Sequence, residues 1–330
     1  LQTSNFPNML PYAVRKALFF LFVGVFLISA PLVVLYTAGY RFNRTNNTVS
    51  QTGTLSIAST PRGAITHVNG EDINDATPAV LQRLSSGTRT VKLTKDGYHD
   101  WERTINVESG STTYVTAPLF VSEEPVLLAQ GGADWERATT SHTPQPVTLP
   151  DNILFASTPG GVEVSLTSRS SSTLLTLLQN EIYSPVIIDD EYLFVQNNKG
   201  ELFYISLTSA QAARSLGKDL VAFAWDSNEK LLIFTDGLEV HLFSPATNAQ
   251  ELITRQSDPI TTLTFAHGGE SIVLASSQGL IGIDLISYVD GRMQTPLASF
   301  SEATTVWFAE DGSAAYLETA GNLSSLMLTP

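Results

Sequence analysis

The chain contains no cysteine. Disulfides, thiolate nucleophiles, thiolate zinc sites and haem attachment are therefore excluded together. Charge is scarce as well, at 15% of residues against 43% apolar, and basic charge is scarcer still: 18 Lys and Arg against 32 Asp and Glu give a net charge of −14. The imbalance is uneven along the chain. Residues 1–50 hold four basic side chains (Arg15, Lys16, Arg41, Arg44) and no acid, whereas residues 121–330 hold eight basic and twenty-five acidic groups, a net of −17. Phosphate and anionic polymers are repelled by such a surface, which excludes nucleic acid as a partner. The five histidines (His67, His99, His142, His241, His267) have no metal-ligand spacing. There is no G-x-S-x-G, no P-loop and no dinucleotide fingerprint. The expectation is a protein without catalytic residues, cofactor or metal.

What is present begins with an apolar run. From Ala17 to Ala38 lie twenty-two uncharged residues, ALFFLFVGVFLISAPLVVLYTA, roughly 33 Å of helix and enough to cross a hydrocarbon core of about 30 Å. A buried helix of a globular domain would need a large helical partner, and the rest of the chain offers none. Ala30 is followed by Pro31, and Tyr36 stands where a small residue should precede Ala38; both contexts oppose signal-peptide cleavage. The expectation is an uncleaved transmembrane anchor over 15–40 behind a cytoplasmic tail of residues 1–14, with Pro31 kinking the helix. Arg15 and Lys16 nearly balance Arg41 and Arg44, so orientation rests on the large body that follows the span: a single pass through the cell membrane, N-terminus cytoplasmic, body extracytoplasmic.

Beyond Gly53 the hydrophobic period becomes two. Alternating segments at Thr54–Ala58, Ala64–Val68, Thr90–Leu93, Thr104–Val107 and Thr113–Val115 are separated by turn residues such as Asn69-Gly70 and Asp96-Gly97, which supply the positive φ of tight hairpins. This predicts a small antiparallel β-sandwich over residues 51–120. Gly53-Thr54-Leu55-Ser56-Ile57, Ser59-Thr60-Pro61-Arg62-Gly63-Ala64, Val68-Asn69-Gly70, Thr77-Pro78, Gly87 and Gly97-Tyr98 together resemble the PEGA domain. The tetrapeptide that names that family has Arg62 in place of Glu here, at a turn position expected to face solvent. Ala30-Pro31 and Gly39-Tyr40-Arg41-Phe42 resemble the anchor segment of membrane-bound bacterial PEGA proteins. The resemblance implies a spacer or adhesion module of the cell envelope, with no catalytic residues. Tyr98 and Trp101 would serve either sugar stacking or the sandwich core.

The remaining residues, 121–330, repeat. Apolar strands begin at Ile153, Tyr192, Leu231, Ser271 and Ala314, spaced 39, 39, 40 and 43 residues apart, and Gly161, Gly200, Gly237, Gly279 and Gly321 open the next strand of each unit. A period near forty with four strands per unit predicts a β-propeller of five blades. It resembles the WD40-like class without the Gly-His and Trp-Asp pair of WD40 itself. The fifth unit ends without a fourth strand, and Pro125-Val126-Leu127-Leu128-Ala129-Gln130 could supply it, leaving no open edge.

The fold class expected is thus an all-β body, a PEGA-like β-sandwich followed by a five-bladed β-propeller, behind one N-terminal transmembrane helix. Trp225, Asp226, Trp307 and Glu310 fall at the ends of the first strands of the third and fifth units, where propeller loops recognise ligands; wedging between blades is the plainer use of such tryptophans. Asp189-Asp190-Glu191 is the densest acidic cluster, either a cation holder or a solvated turn. The function expected is non-catalytic binding or scaffolding at the cell surface, with an envelope protein or glycan as partner beside the membrane. Alternatives are a self-associating surface-layer component and a glycan-active enzyme on a propeller scaffold.

Overall fold

A computed structural model describes residues 11–37, 39–43, 48–131, 147–168 and 171–330. The apolar run forms one helix, α1, Tyr12–Thr37, about 39 Å long. It starts where Val14 and Arg15 N–H groups bond the carbonyl of Pro11, three residues ahead of the expected start, and ends before Tyr40. Pro31 lies inside an unbroken element, and none of the helix's side chains is buried. Most of the expected tail, residues 1–10, lies outside the described residues.

The chain divides into two compact units, residues 1–92 with 102–117, and residues 93–101 with 118–330. Eight strands follow α1: β1 (Tyr40–Asn43), β2 (Thr48–Thr60), β3 (Ile65–Val68), β4 (Glu71–Ala76), β5 (Ala79–Ser85), β6 (Gly87–Thr94), β7 (Trp101–Val107) and β8 (Thr112–Pro118). They make two four-stranded sheets, one of β1, β2, β5 and β8 around the long β2, the other in the order β4-β3-β6-β7. The strict alternation of β2 turns Leu55 and Ile57 inward, opposite Leu81 and Ala79 of β5. Val91, Ile105, Val107 and Val115 complete this core. β4 and β5 were not anticipated: EDINDA carries charge on both sides of the alternation, and AVLQRLS interrupts its apolar residues with Gln82 and Arg83. The Pro61-Arg62-Gly63-Ala64 turn is held by Thr77, whose hydroxyl accepts from the N–H groups of Gly63 (3.1 Å) and Ala64 (3.0 Å). Arg62 is exposed, as expected for the substituted position. Gly53 has no alternative: a Cβ there would lie 2.1 Å from the Glu108 carbonyl oxygen.

The second unit is a series of antiparallel meanders. Its strands are β9 (Val126–Gln130), β10 (Ile153–Thr158), β11 (Gly161–Ser168), β12 (Ser171–Leu178), β13 (Tyr183–Ile188), β14 (Tyr192–Asn197), β15 (Leu202–Ser206), β16 (Arg214–Gly217), β17 (Ala222–Asp226), β18 (Leu231–Thr235), β19 (Glu239–Ser244), β20 (Ala249–Arg255), β21 (Ile260–Ala266), β22 (Ser271–Ser276), β23 (Gly279–Asp284), β24 (Gln294–Ser299), β25 (Thr304–Phe308), β26 (Ala314–Thr319) and β27 (Asn322–Met327). Five sheets result: β10-β11-β12, β13 to β16, β17 to β20, β21 to β24, and β25-β26-β27-β9. The early strand β9 therefore completes the last sheet, with Ala129 opposite Leu323 and Val126 opposite Ser325. Each repeat glycine has positive φ (Gly161 +141°, Gly200 +77°, Gly237 +102°, Gly279 +158°, Gly321 +78°), the conformation L side chains avoid. The first sheet differs from the expected four strands: among the described residues it has three, with none ahead of β10.

No single sheet can bury both faces, and the apolar residues that alternate along the strands do so between neighbours. Val164, Leu193 and Ile205 join sheets one and two; Phe194, Phe234 and Leu232 join two and three; Ile233, Leu263 and Ile272 join three and four; Phe120, Val273 and Leu317 join four and five. Among the described residues no such cluster joins the fifth sheet to the first, where Leu154, Leu174 and Leu177 are exposed.

Candidate functional site

The strand that opens each of the last three sheets (β17, β21, β25) ends in a polar turn, and the three turns are stacked. In the third sheet, Asp226 closes β17 and accepts through Oδ1 from the N–H groups of Asn228 (2.8 Å) and Glu229 (2.9 Å). In the fourth, Gly268 and Gly269 follow β21, and a Cβ on Gly269 would stand 3.0 Å from Asp226 Oδ2. In the fifth, Asp311 Oδ1 accepts from Ser313 N–H (2.9 Å) and Oγ (2.6 Å). Gly312 (φ +69°) brings this turn so close to the fourth sheet that a Cβ would lie 1.8 Å from the Phe265 carbonyl oxygen. Only glycine permits that approach.

Between the turns lies a cavity of about 920 Å³ lined by Trp225, Asp226, Phe265, Trp307, Glu310, Tyr316 and their neighbours on the three sheets. All four residues singled out from the sequence, Trp225, Asp226, Trp307 and Glu310, line it. Their environments differ. Trp225 wedges between the second and third sheets, its ring centroid 5.2 Å from Phe194 and 5.9 Å from Tyr192, and its Nε1–H points to Asp189 Oδ2 at 3.4 Å. It therefore serves packing and cavity wall at once. Asp226 is buried; Trp307 is half-buried and Glu310 exposed. Sequence reading missed Phe265, Asp311 and Tyr316, although the forty-residue register that places Trp225 also places its equivalents in the next two repeats.

The acidic cluster 189–191 is not a cation site. The Asp189 side chain is 7% exposed, and both its oxygens accept from Lys230 Nζ (2.8 and 2.7 Å). Burial alone would raise its pKa, but hydrogen bonds from Lys230, the Glu191 N–H and Trp225 outweigh burial and hold it below the ordinary carboxylate value. The ammonium already occupies the place a bound cation would take. Among the described residues no three His, Asp or Glu side chains cluster as metal ligands. Trp101 is likewise no sugar platform: it is 1% exposed, and its Nε1–H donates to Asp284 Oδ2 at 2.7 Å. A smaller cavity of about 630 Å³, lined by His99, Glu123, Phe300 and Glu302 among others, gathers none of the predicted residues.

Five antiparallel meanders in series, the last completed by an early strand, define a body of the propeller type behind an apolar helix. Residues 52–121 match the PEGA domain family. No curated protein matches the chain. Among solved structures, the β-propeller domain of Cps50 (Swd1) from Myceliophteria thermophila aligns at 16% identity and TM-score 0.37, over 46% of this chain and 52% of its own length. A nidogen/laminin complex aligns at 11% identity and TM-score 0.31 (53% and 77%), and a mitotic checkpoint complex at 11% and 0.37 (84% and 87%). At those scores the strand order, and not the overlap, defines the body.

Proposed function

We propose that this protein is a membrane-anchored, non-catalytic binding protein, with α1 as an uncleaved single-pass anchor, the N-terminus cytoplasmic and the body extracytoplasmic. The PEGA segment acts as the membrane-proximal spacer, and the five sheets act as a five-bladed propeller that recognises an envelope protein or glycan. One observation carries the reading: the opening strands of three successive sheets converge on a single cavity containing Trp225, Asp226, Trp307 and Glu310. Aromatic walls with a few polar groups are what ligand sites require. A glycan hydrolase would need two unencumbered carboxylates facing each other across the cleft, one of them with a raised pKa. Asp226 and Asp311 instead spend an oxygen on the N–H groups of their own turns. Asp311 is held below the usual range, first by the Ser313 hydroxyl and then by its N–H.

The test uses the full chain, tagged and expressed in a bacterial host. It should resist carbonate extraction, and its body should be cleaved by protease added outside spheroplasts. Photo-crosslinking in the envelope should then capture a partner that is lost with Trp307→Ala. Release by carbonate would remove the anchor; capture unaffected by Trp307→Ala would remove the cavity as recognition site.

A further inference from the structure

The lining of the cavity is unbalanced in a way that selects its ligand. It holds three carboxylates, Asp226, Glu310 and Asp311, and no Lys, Arg or His. Two of its hydroxyl donors are spent within the wall: Thr264 Oγ1 donates to the Phe265 carbonyl at 3.2 Å, and Ser313 Oγ to Asp311 at 2.6 Å; Ser227, Thr262, Tyr316 and the indoles of Trp225 and Trp307 also line it. Asn228 is the one side-chain amide. A neutral sugar, which both gives and takes hydrogen bonds at each hydroxyl, brings no positive charge to answer the three carboxylates. Ammonium and guanidinium groups carry three and five N–H donors and a positive charge, so they complement the carboxylates. Phe265, Trp307 and Tyr316 stand on the same lining, and aromatic faces attract cations in addition to apolar stems. Glu310 is exposed at the rim, where no ion pair among the described residues engages it.

Size decides between a free amine and a side chain on a larger partner. About 920 Å³ lies at the upper end of the range for small-molecule sites, about 300–1,000 Å³, far more than one amine fills. We propose that the cavity bounded by the turns after β17, β21 and β25 is a docking site for a lysine- or arginine-bearing segment of a partner protein, the cationic head lying among Asp226, Glu310 and Asp311 and its stem against Trp307. This rests on the reading of the cavity as a recognition site and names the partner's chemistry. The net charge of −17 over residues 121–330 steers such a segment toward the body from a distance.

The full chain in zwitterionic nanodiscs is titrated, with tryptophan fluorescence as readout, against three probes: Gly/Ala-spaced decapeptides carrying two Arg or two Lys, the same peptide with Gln, and a neutral chito-oligosaccharide. The basic peptides are expected to bind at least tenfold more tightly than the Gln peptide. Their affinity should fall about tenfold in Glu310→Gln and further in Glu310→Lys, both surface changes the fold tolerates, and stay unchanged in Glu302→Gln, an exposed acid outside this cavity. Equal loss in Glu302→Gln would show diffuse charge attraction and overturn the proposal. Saturable oligosaccharide binding that Trp307→Ala abolishes, with basic peptides inert, would overturn it while leaving the cavity a recognition site. If neither probe binds and the partner captured in the envelope does not depend on Trp307, the recognition reading fails as well.

Discussion

His267 should make the second unit sensitive to mild acid. It lies in the turn after β21, its ring edge against Phe120 at a centroid distance of 4.8 Å. One nitrogen, Nε2, donates to the Leu119 carbonyl at 3.1 Å, which leaves Nδ1 to accept from Ser271 Oγ at 2.7 Å. The neutral ring is thus fully used, and a second proton would have to displace the Ser271 hydroxyl hydrogen in an apolar setting. Burial pushes the pKa down to about 4, against a smaller upward pull from Leu119. The unfolded chain then binds more protons than the folded one between pH 6.5 and 4, so stability is full above pH 6.5 and is lost as pH falls through that window. From pH 7 to 4.5 the loss is about 2 to 3 kcal/mol, or roughly 5–10 °C in Tm for a unit of this size. Two groups act alongside. His99, lowered by burial against a smaller opposing pull from Asp100, adds the same sign. Glu270, raised by burial and then by Glu229, has the opposite sign, since its contribution is lost as pH rises. The difference between the wild type and His267→Gln isolates the histidine, because the other groups are common to both. Thermal unfolding of the detergent-solubilised chain at pH 7, 6, 5 and 4.5 should show the variant less stable at pH 7 by about 1 kcal/mol for its poorer hydrogen bonds. That gap should close or reverse by pH 4.5. Parallel profiles over the whole range would refute the reasoning.

Two further outcomes follow from packing. Gly312→Ala places a methyl 1.8 Å from the Phe265 oxygen at a φ of +69°; with about 1–2 kcal/mol for the left-handed conformation alone, a loss of about 3 kcal/mol or more is expected by thermal unfolding, and a loss below 0.5 would mean the turn does not pack there. Phe120→Ala empties the centre of the cluster between the fourth and fifth sheets, where Phe120 is 2% exposed; it should cost about 3–5 kcal/mol, and a compensating Gly282→Ala, whose Cβ would fall 2.5 Å from the Phe120 ring, should recover part of that in the double variant while destabilising the wild type.

Much of the architecture could be read directly because it repeats. A glycine of positive φ every forty residues, with apolar strands in register beside it, marks each meander without reference to its neighbours. The same register assigned Trp225 and Trp307 to equivalent places near the ends of β17 and β25. Local pattern failed at β4 and β5, whose polar residues pair through backbone hydrogen bonds that composition does not reveal. It failed too at Asp189, whose turn looked solvated until Lys230, forty-one residues later, closed over it.

By itself, then, the sequence determined the apolar helix, the period of the strands, the positions of the turns and the absence of thiol chemistry, since each is a local property of residue type and spacing. Tertiary structure alone decided which turns meet. The cavity exists because Gly269 and Gly312 let successive turns approach within contact of the sheet before them, and those contacts join residues some forty positions apart. Tertiary structure also turned Trp101 and Asp189 from candidate binders into buried partners of Asp284 and Lys230. Burial and long-range pairing are properties of the folded chain, and no window of neighbouring residues contains them.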